Sequence, residues 1–249
     1  MIGTNFQSPE APQAIFFWGK YGMKIFNGEG IGPLKINYKN KCDGVFLLKK
    51  IPNRAIKAVF FDPQYRGVLD KLKYGNEGKL RGKLRSALPQ MDEIIIHKFL
   101  LEINRVLVPS GYLFLWVDKF HLVEGIQKWF KNIPSLSAVD MITWNKLRIG
   151  MGYRTRRKSE YCIVIQKRPQ IAKNTWKRHD IPDVWEERVV KNHTHAKPIE
   201  LQKNLILAVT EENDFVVDPA AGGYSVLRAT QDTKRNFIGG DIEYGEDIV

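Results

Sequence analysis

The stretch "DFVVDPAAGGYS", residues 214–225, decides how the chain is read. Phe215, Val216 and Val217 form a short apolar run that stops at Asp218-Pro219. Four small residues follow, Ala220 to Gly223, before a stretch with helical character opens at Tyr224. The pattern predicts a buried strand, a tight turn and a helix start. In an open α/β sheet, ligands bind in the crevice outside the carboxyl ends of the strands. Glycines there admit close approach of backbone to ligand, and the helix N-terminus offers unpaired N–H groups and partial positive charge. An ordinary strand-to-helix turn has the same local pattern, so the surrounding sequence has to decide.

Downstream, "NFIGGDIE" (236–243) is a second strand, ending in Asp241, 23 residues after Asp218. A carboxylate at this place in a nucleotide-binding sheet takes the ribose hydroxyls. Glu243 is a neighbouring candidate, expected on the same strand face as Asp241. Neither strand end carries a phosphate loop with lysine, which argues for a nucleoside-containing ligand and against ATP. Upstream, "AVFFDPQYRG" (58–67) runs a fully apolar strand into Asp62, Pro63, Gln64 and Tyr65, setting an acceptor and an aromatic ring at a strand end.

The rest of the chain supplies the architecture. "GVFLLKKIP" predicts a short helix stopped by Pro52, and "MDEIIIHKFLLEINRVL" a packed helix. "PSG" is expected to turn the chain into the strand "YLFLWVD", and "HLVEGIQKWFKNI" to form one helix. "AVDMITWNK" and "EYCIVIQK" are strands; "PIELQKNLILAV" and "YSVLRATQD" are helices. Strands alternating with helices predict an α/β fold, a mostly parallel sheet with helices on both faces. "FNGEGIG" has GxGxG spacing followed by Pro33 and is expected to be a flexible loop, not a dinucleotide turn.

The 249 residues carry 39 Lys+Arg against 27 Asp+Glu, a net charge of +12. That excess points to a polyanionic partner, nucleic acid before an anionic membrane, although a basic soluble surface would also produce it. Two cysteines without metal-ligand spacing give neither a disulfide framework nor a zinc site. His193 and His195 are expected to be a cap or surface turn, so no metal is predicted. No apolar run approaches a membrane span and no signal peptide opens the chain, so a cytoplasmic protein is expected. Residues 66–90 are expected to be a basic mobile loop, and 167–192, with Trp176 and Trp185, a small target-recognition region or a plain β-extension.

The order "HTHAKPIELQKNLI…DFVVDPAAGGYSVL…RNFIGGDIE" resembles the S-adenosylmethionine-dependent amino-methyltransferases of DNA, in their permuted β group. "KCDGVFLLKKIPNRAIKAVFFDPQY" is similar to that group's start, with DPQY where the family has DPPY. "TWNKLRIGMGYRTRRKSEYCIVIQK" resembles the segment before its target-recognition region. The likeness runs over residues 42–244 and implies a Rossmann-like methyltransferase fold with circularly permuted motifs, in one catalytic domain spanning 1–249. It implies S-adenosyl-L-methionine as cofactor, held by Asp218, Pro219, Ala221, Gly222, Gly223 and Asp241, with Asp43, Lys197 and Pro198. It further implies methylation of adenine N6 in double-stranded DNA, with Asp62, Pro63, Gln64 and Tyr65 catalytic. Adenine is favoured because the tetrapeptide begins with Asp. N4-cytosine methylation and RNA methylation are alternatives.

A homodimer and a restriction endonuclease counterpart belong to the same expectation. Ala220, Gln64 and Tyr224 depart from the family pattern. Tyr224 brings a ring where backbone should pass close to the cofactor, which keeps open a non-catalytic DNA-binding paralogue. Lys79, Arg81, Lys83, Arg85, Arg154, Arg156, Arg157 and Lys158 are the expected phosphate contacts.

Overall fold

The computed structural model describes residues 30–64, 91–150, 154–188 and 197–247, and the backbone of two strands nearer the N-terminus. Those two, β1 (Ile15–Gly19) and β2 (Gly22–Phe26), pair as an antiparallel hairpin. A second, tiny hairpin pairs β3 (Gly30–Ile31) with β4 (Leu34–Lys35). The expected flexible loop is therefore a tight hairpin where it is described, turned at Gly32 with φ of 59°.

The remaining strands form one nine-stranded sheet. In chain order they are β5 (Asn40–Lys41), β6 (Ile56–Phe61), β7 (Leu107–Val117), β8 (Leu136–Asn145), β9 (Ser159–Lys167), β10 (Val184–Glu186), β11 (Phe215–Asp218), β12 (Asn236–Asp241) and β13 (Glu246–Asp247). Across the sheet the order is β10-β8-β9-β7-β6-β11-β12-β5-β13. Every neighbouring pair is parallel except the two made by β9. The helices are α1 (Gly44–Lys50), α2 (Glu93–Val106), α3 (Lys119–Glu124), α4 (Ile199–Val209) and α5 (Ser225–Asp232).

The central strands are apolar on both faces because both are covered. On one face Val59, Phe61, Leu113, Leu115 and Val217 pack against Leu47 and Leu48 of α1 and Ile96, Phe99 and Leu100 of α2. On the other, Ala58, Phe60, Phe114, Val164 and Val216 meet Leu201, Leu205 and Ile206 of α4 and Val226 and Ala229 of α5. The period of two along each strand sends successive side chains into separate cores.

Topology fixes where a ligand can lie. From β6 the chain crosses through α2 to β7 on one side; from β11 it crosses through α5 to β12 on the other. The two crossovers diverge between the neighbours β6 and β11, which opens a crevice at their carboxyl ends.

Three expectations need correction. "PSG" lies inside β7: pairing steps from Ile56–Leu107 to Ala58–Tyr112, so the extra residues bulge out, with Ser110 at φ of 61°. "HLVEGIQKWFKNI" is not one helix. Asp118 starts α3 early by accepting the Phe120 and His121 N–H groups, Gly125 ends it at φ of 82°, and a 3-10 turn spans Gln127–Phe130. Glu243 is not on a strand, since β12 ends at Asp241 and Glu243 lies in the following turn.

The segment expected to read the target, as far as it is described, lies along the sheet. Residues 184–186 add β10 at the edge, and Trp176 packs against Tyr112 and Phe114. Residues 66–90, with Lys79, Arg81, Lys83 and Arg85, lie outside the described residues, as do Tyr65, His193 and His195. Among the described residues no helix is long and apolar enough to cross a membrane.

Candidate active site

Asp62, Asp218 and Asp241 stand at the carboxyl ends of the adjacent strands β6, β11 and β12. Asp218 is buried, and its Oδ1 accepts the Ala220 N–H at 3.2 Å. Burial pushes its carboxyl up to about 8, and the nearby charges of Asp62 and Asp241 push the same way. Asp241 is spoken for on both oxygens. Oδ2 accepts the Gly222 N–H at 3.2 Å, and Oδ1 accepts those of Glu243 and Tyr244 at 2.8 and 2.9 Å.

The loop after β11 is built for contact. Ala221 donates its N–H to the Gly240 carbonyl at 3.0 Å, tying the loop to β12. Gly222 has φ of 46°, and a Cβ there would meet no atom within 4 Å, so the backbone faces open space. Across the loop, a Cβ on Gly44 would lie 2.0 Å from the Pro219 carbonyl oxygen. Only glycine lets α1 start against this loop. Asp43 caps α1, accepting the Phe46 N–H at 2.8 Å, and Cys42 donates its N–H to the Asp241 carbonyl at 3.0 Å. Asp43, Pro219, Ala221, Gly222 and Asp241 are thus gathered on one rim.

Tyr224, read from sequence as an obstruction, is turned away from that rim. The residue adopts the left-handed conformation at φ of 55°, and its ring is buried edge-on to Phe237 at 6.2 Å between centroids. Its hydroxyl has the Asn40 and Tyr244 carbonyls as acceptors at 2.9 and 2.7 Å. The left-handed turn, which costs a non-glycine residue about 1–2 kcal/mol, sends the ring inward while Gly222 and Gly223 keep the backbone outside.

At the other end of the crevice Pro63 is buried and Gln64 exposed. The Gln64 carbonyl accepts the Met91 N–H at 2.7 Å, which joins residues 64 and 91 close to Asp62. Lys197 precedes Pro198, the N-cap of α4. Its ammonium lies 2.8 Å from Asp62 Oδ2 and 2.9 Å from Glu160 Oε2, and 5.2 Å from the centre of the Trp116 ring. Lys197, expected from sequence among the cofactor-binding residues, is thus held directly against Asp62. Burial works against its charge, but the two carboxylates outweigh burial and raise its pKa. Glu160 also pairs with Lys146. Burial opposes its ionisation, yet the two lysines hold it down at about 2.

Glu160 is absent from the sequence reading, and so is Glu187, whose two oxygens accept the Glu200 and Leu201 N–H groups at the start of α4, both at 3.1 Å. The one signal for Glu160 was a carboxylate opening an otherwise apolar strand, which also fits a solvated strand end.

Basic side chains share this edge, because the start of β9 pairs with the end of β7, Tyr161 opposite Val117. Arg154, Arg156 and Lys158 are exposed. Arg156 donates to the Gly150 carbonyl at 3.0 Å, and Arg157 and Lys119 both lie over the Phe120 ring, at 5.5 and 5.3 Å. An acidic crevice is thus bordered by a cationic rim.

Residues 56–249 match the profile of the N6_N4_Mtase DNA methylases. The chain belongs to this family. It is 63% identical over 213 residues to the type II methyltransferase M.HhaII of Haemophilus parahaemolyticus, covering 85% of this chain and 93% of that one. Among solved structures, the cytosine-N4-specific PvuII DNA methyltransferase superposes with a TM-score of 0.58 at 13% identity, over 81% of this chain and 80% of that chain. The M1.HpyAVI–SAM complex does so with a TM-score of 0.56 at 16% identity, over 83% of this chain and 94% of that one. These two likenesses show the fold. For this DNA methylase the family, the α/β methyltransferase architecture and DNA as substrate agree with the sequence reading.

Proposed function

We propose that this methylase transfers a methyl group from S-adenosylmethionine to the exocyclic N6 of an adenine flipped out of double-stranded DNA, as the modification enzyme of a type II system. One observation carries the reading. Asp62, opening Asp-Pro-Gln-Tyr at the end of β6, shares the switch-point crevice with Asp218 and Asp241 at the ends of the next two strands.

The crevice fits the cofactor. Its open rim at Gly222, its glycine-permitted contact between α1 and the Pro219 carbonyl, and its concentration of carboxylates suit a nucleoside that carries positive charge. Asp241 and Asp43 would face the nucleoside, and Asp218 with the 219–222 backbone the cationic end. When bound, S-adenosylmethionine supplies a methyl group made electrophilic by its sulfonium.

The amine of the base is a weak nucleophile because its lone pair is delocalised into the ring. Asp62 accepts one amine N–H and a backbone carbonyl near Pro63 accepts the other, which turns the lone pair toward the methyl group. Charge-assisted hydrogen bonds of this kind contribute about 1.5–3 kcal/mol each. Alignment contributes much of the remainder. Flipping the base costs a few kcal/mol, and stacking on Tyr65 returns about 1–3 kcal/mol. Arg154, Arg156, Arg157 and Lys158, with the lysines and arginines of 66–90, neutralise phosphates.

M.HhaII is named a type II methyltransferase, which supports the modification role and a restriction endonuclease as counterpart. Calorimetric titration with S-adenosylmethionine, followed by tritiated methyl transfer to unmodified genomic DNA, tests the activity. No binding and no transfer would sink it. Digestion of the product to nucleosides separates N6-methyladenine from N4-methylcytosine, and the latter would overturn the choice of base.

A further inference from the structure

We infer that Lys197 and Glu160 are a positioning pair for the Asp62 carboxylate, Lys197 fixing its orientation and Glu160 dividing the lysine's charge. The inference rests on the proposed role of Asp62 as amine acceptor.

Four elements meet here. Asp62 follows β6, Glu160 is the second residue of β9, Lys146 follows β8, and Lys197 precedes α4. The charges run in alternation, Lys146–Glu160–Lys197–Asp62, and sum to zero. Lys197 is only 13% exposed along its side chain, so both its contacts are made with little screening. Pro198 fixes the backbone behind it, and the Trp116 ring face lies beneath the ammonium.

A lysine bound to Asp62 alone would form a closed neutral pair. That would hold the carboxylate still and also weaken it as an acceptor. Glu160 changes this, since its Oε2 competes for the same ammonium at nearly the same distance. Asp62 stays ionised and oriented through Oδ2, yet keeps negative charge for an amine that becomes more positive as it reacts. Lys146 in turn keeps Glu160 from collapsing onto Lys197. Among the described residues, Asp218 of β11 and Cys162 of β9 also act on this cluster, with Asp241 beyond Asp218.

The two partners should move the acid limb of the reaction in opposite directions. Removing the Lys197 cation destabilises ionised Asp62, so protonation sets in at higher pH. Removing the Glu160 charge leaves Lys197 undivided on Asp62, so protonation is delayed to lower pH.

The experiment uses the full chain, as wild type, Lys197→Met, Lys197→Arg and Glu160→Gln. Single-turnover methyl transfer to unmodified genomic DNA is followed at saturating S-adenosylmethionine across pH, with calorimetric cofactor affinity alongside. The expected result is a rate loss of about 100-fold for Lys197→Met and about tenfold for Glu160→Gln. Cofactor affinity should stay within about threefold, the acid limbs should shift oppositely, and Lys197→Arg should return the limb toward wild type. Unmoved limbs would overturn the inference. So would a Lys197→Met variant that loses cofactor affinity but keeps its saturated rate, which would make Lys197 a cofactor ligand. Should Lys197→Met fail to fold, the direction of the Glu160→Gln limb decides. A wild type that transfers no methyl group would instead overturn the proposed function.

Discussion

Asp62 and Asp218 sit in the same crevice with opposite surroundings. Asp62 has a lysine against one oxygen, whereas Asp218 has burial and two like charges. Replacing Asp62 by alanine should remove methyl transfer by more than about 100-fold while calorimetry finds cofactor affinity little changed. Equal loss of both would assign Asp62 to the cofactor. Asp218 makes a pH prediction. Its folded pKa, about 8, lies above the unfolded value of about 3.9. The folded protein therefore holds more protons between these values, and its stability falls as pH rises through that window. The ligand-free Tm should drop from pH 6 to pH 9, and Asp218→Asn should flatten the drop. Binding a cation would favour the ionised form, so titration near pH 7 in buffers of different ionisation enthalpy should report proton release in the wild type and none in Asp218→Asn.

Two elements depend on ties that local propensity does not supply. The seven-residue α1 is too short to persist alone. Its C-terminal carbonyls are met by Arg105 of α2, which donates from Nη2 to Leu48 O at 2.7 Å and from Nη1 to Ile51 O at 2.8 Å. Arg105→Met should destabilise the fold by about 2–4 kcal/mol, measured by urea unfolding. Because α1 abuts the Pro219 carbonyl, cofactor affinity should fall with it. The loop before α5 depends on the Tyr224 hydroxyl. Tyr224→Phe keeps the ring among its apolar neighbours but leaves the Asn40 and Tyr244 carbonyls without that donor, a loss of about 1–3 kcal/mol. Thermal unfolding checks it, and an unchanged Tm would mean other donors satisfy those carbonyls.

For the whole molecule, the +12 charge is unevenly used. The crevice is acidic and its rim, at Lys119, Arg154, Arg156, Arg157 and Lys158, is basic, so a polyanion is drawn to the edge while the pocket itself suits a cation. DNA affinity should fall steeply and linearly with salt on logarithmic axes. Each neutralised arginine among Arg154, Arg156 and Arg157 should reduce the slope by about one. A flat salt response would place the docking surface elsewhere.

The alternating apolar pattern and the strand-end carboxylates made the α/β sheet, its helices and the positions of Asp62, Asp218 and Asp241 legible without coordinates. Periodicity and turn chemistry are local, and each strand declares its own end. Local signals were weakest where a few residues compete, as at the bulge of "PSG" and the break at Gly125, because pairing and capping partners decide those. What only the tertiary structure decided is the company each side chain keeps. It turned Tyr224 inward, brought Lys197 and Glu160 to Asp62, and set the arginines of β9's approach beside the crevice. Those pairings join residues from distant parts of the chain, and their strength comes from burial and distance, which no spacing along the sequence encodes.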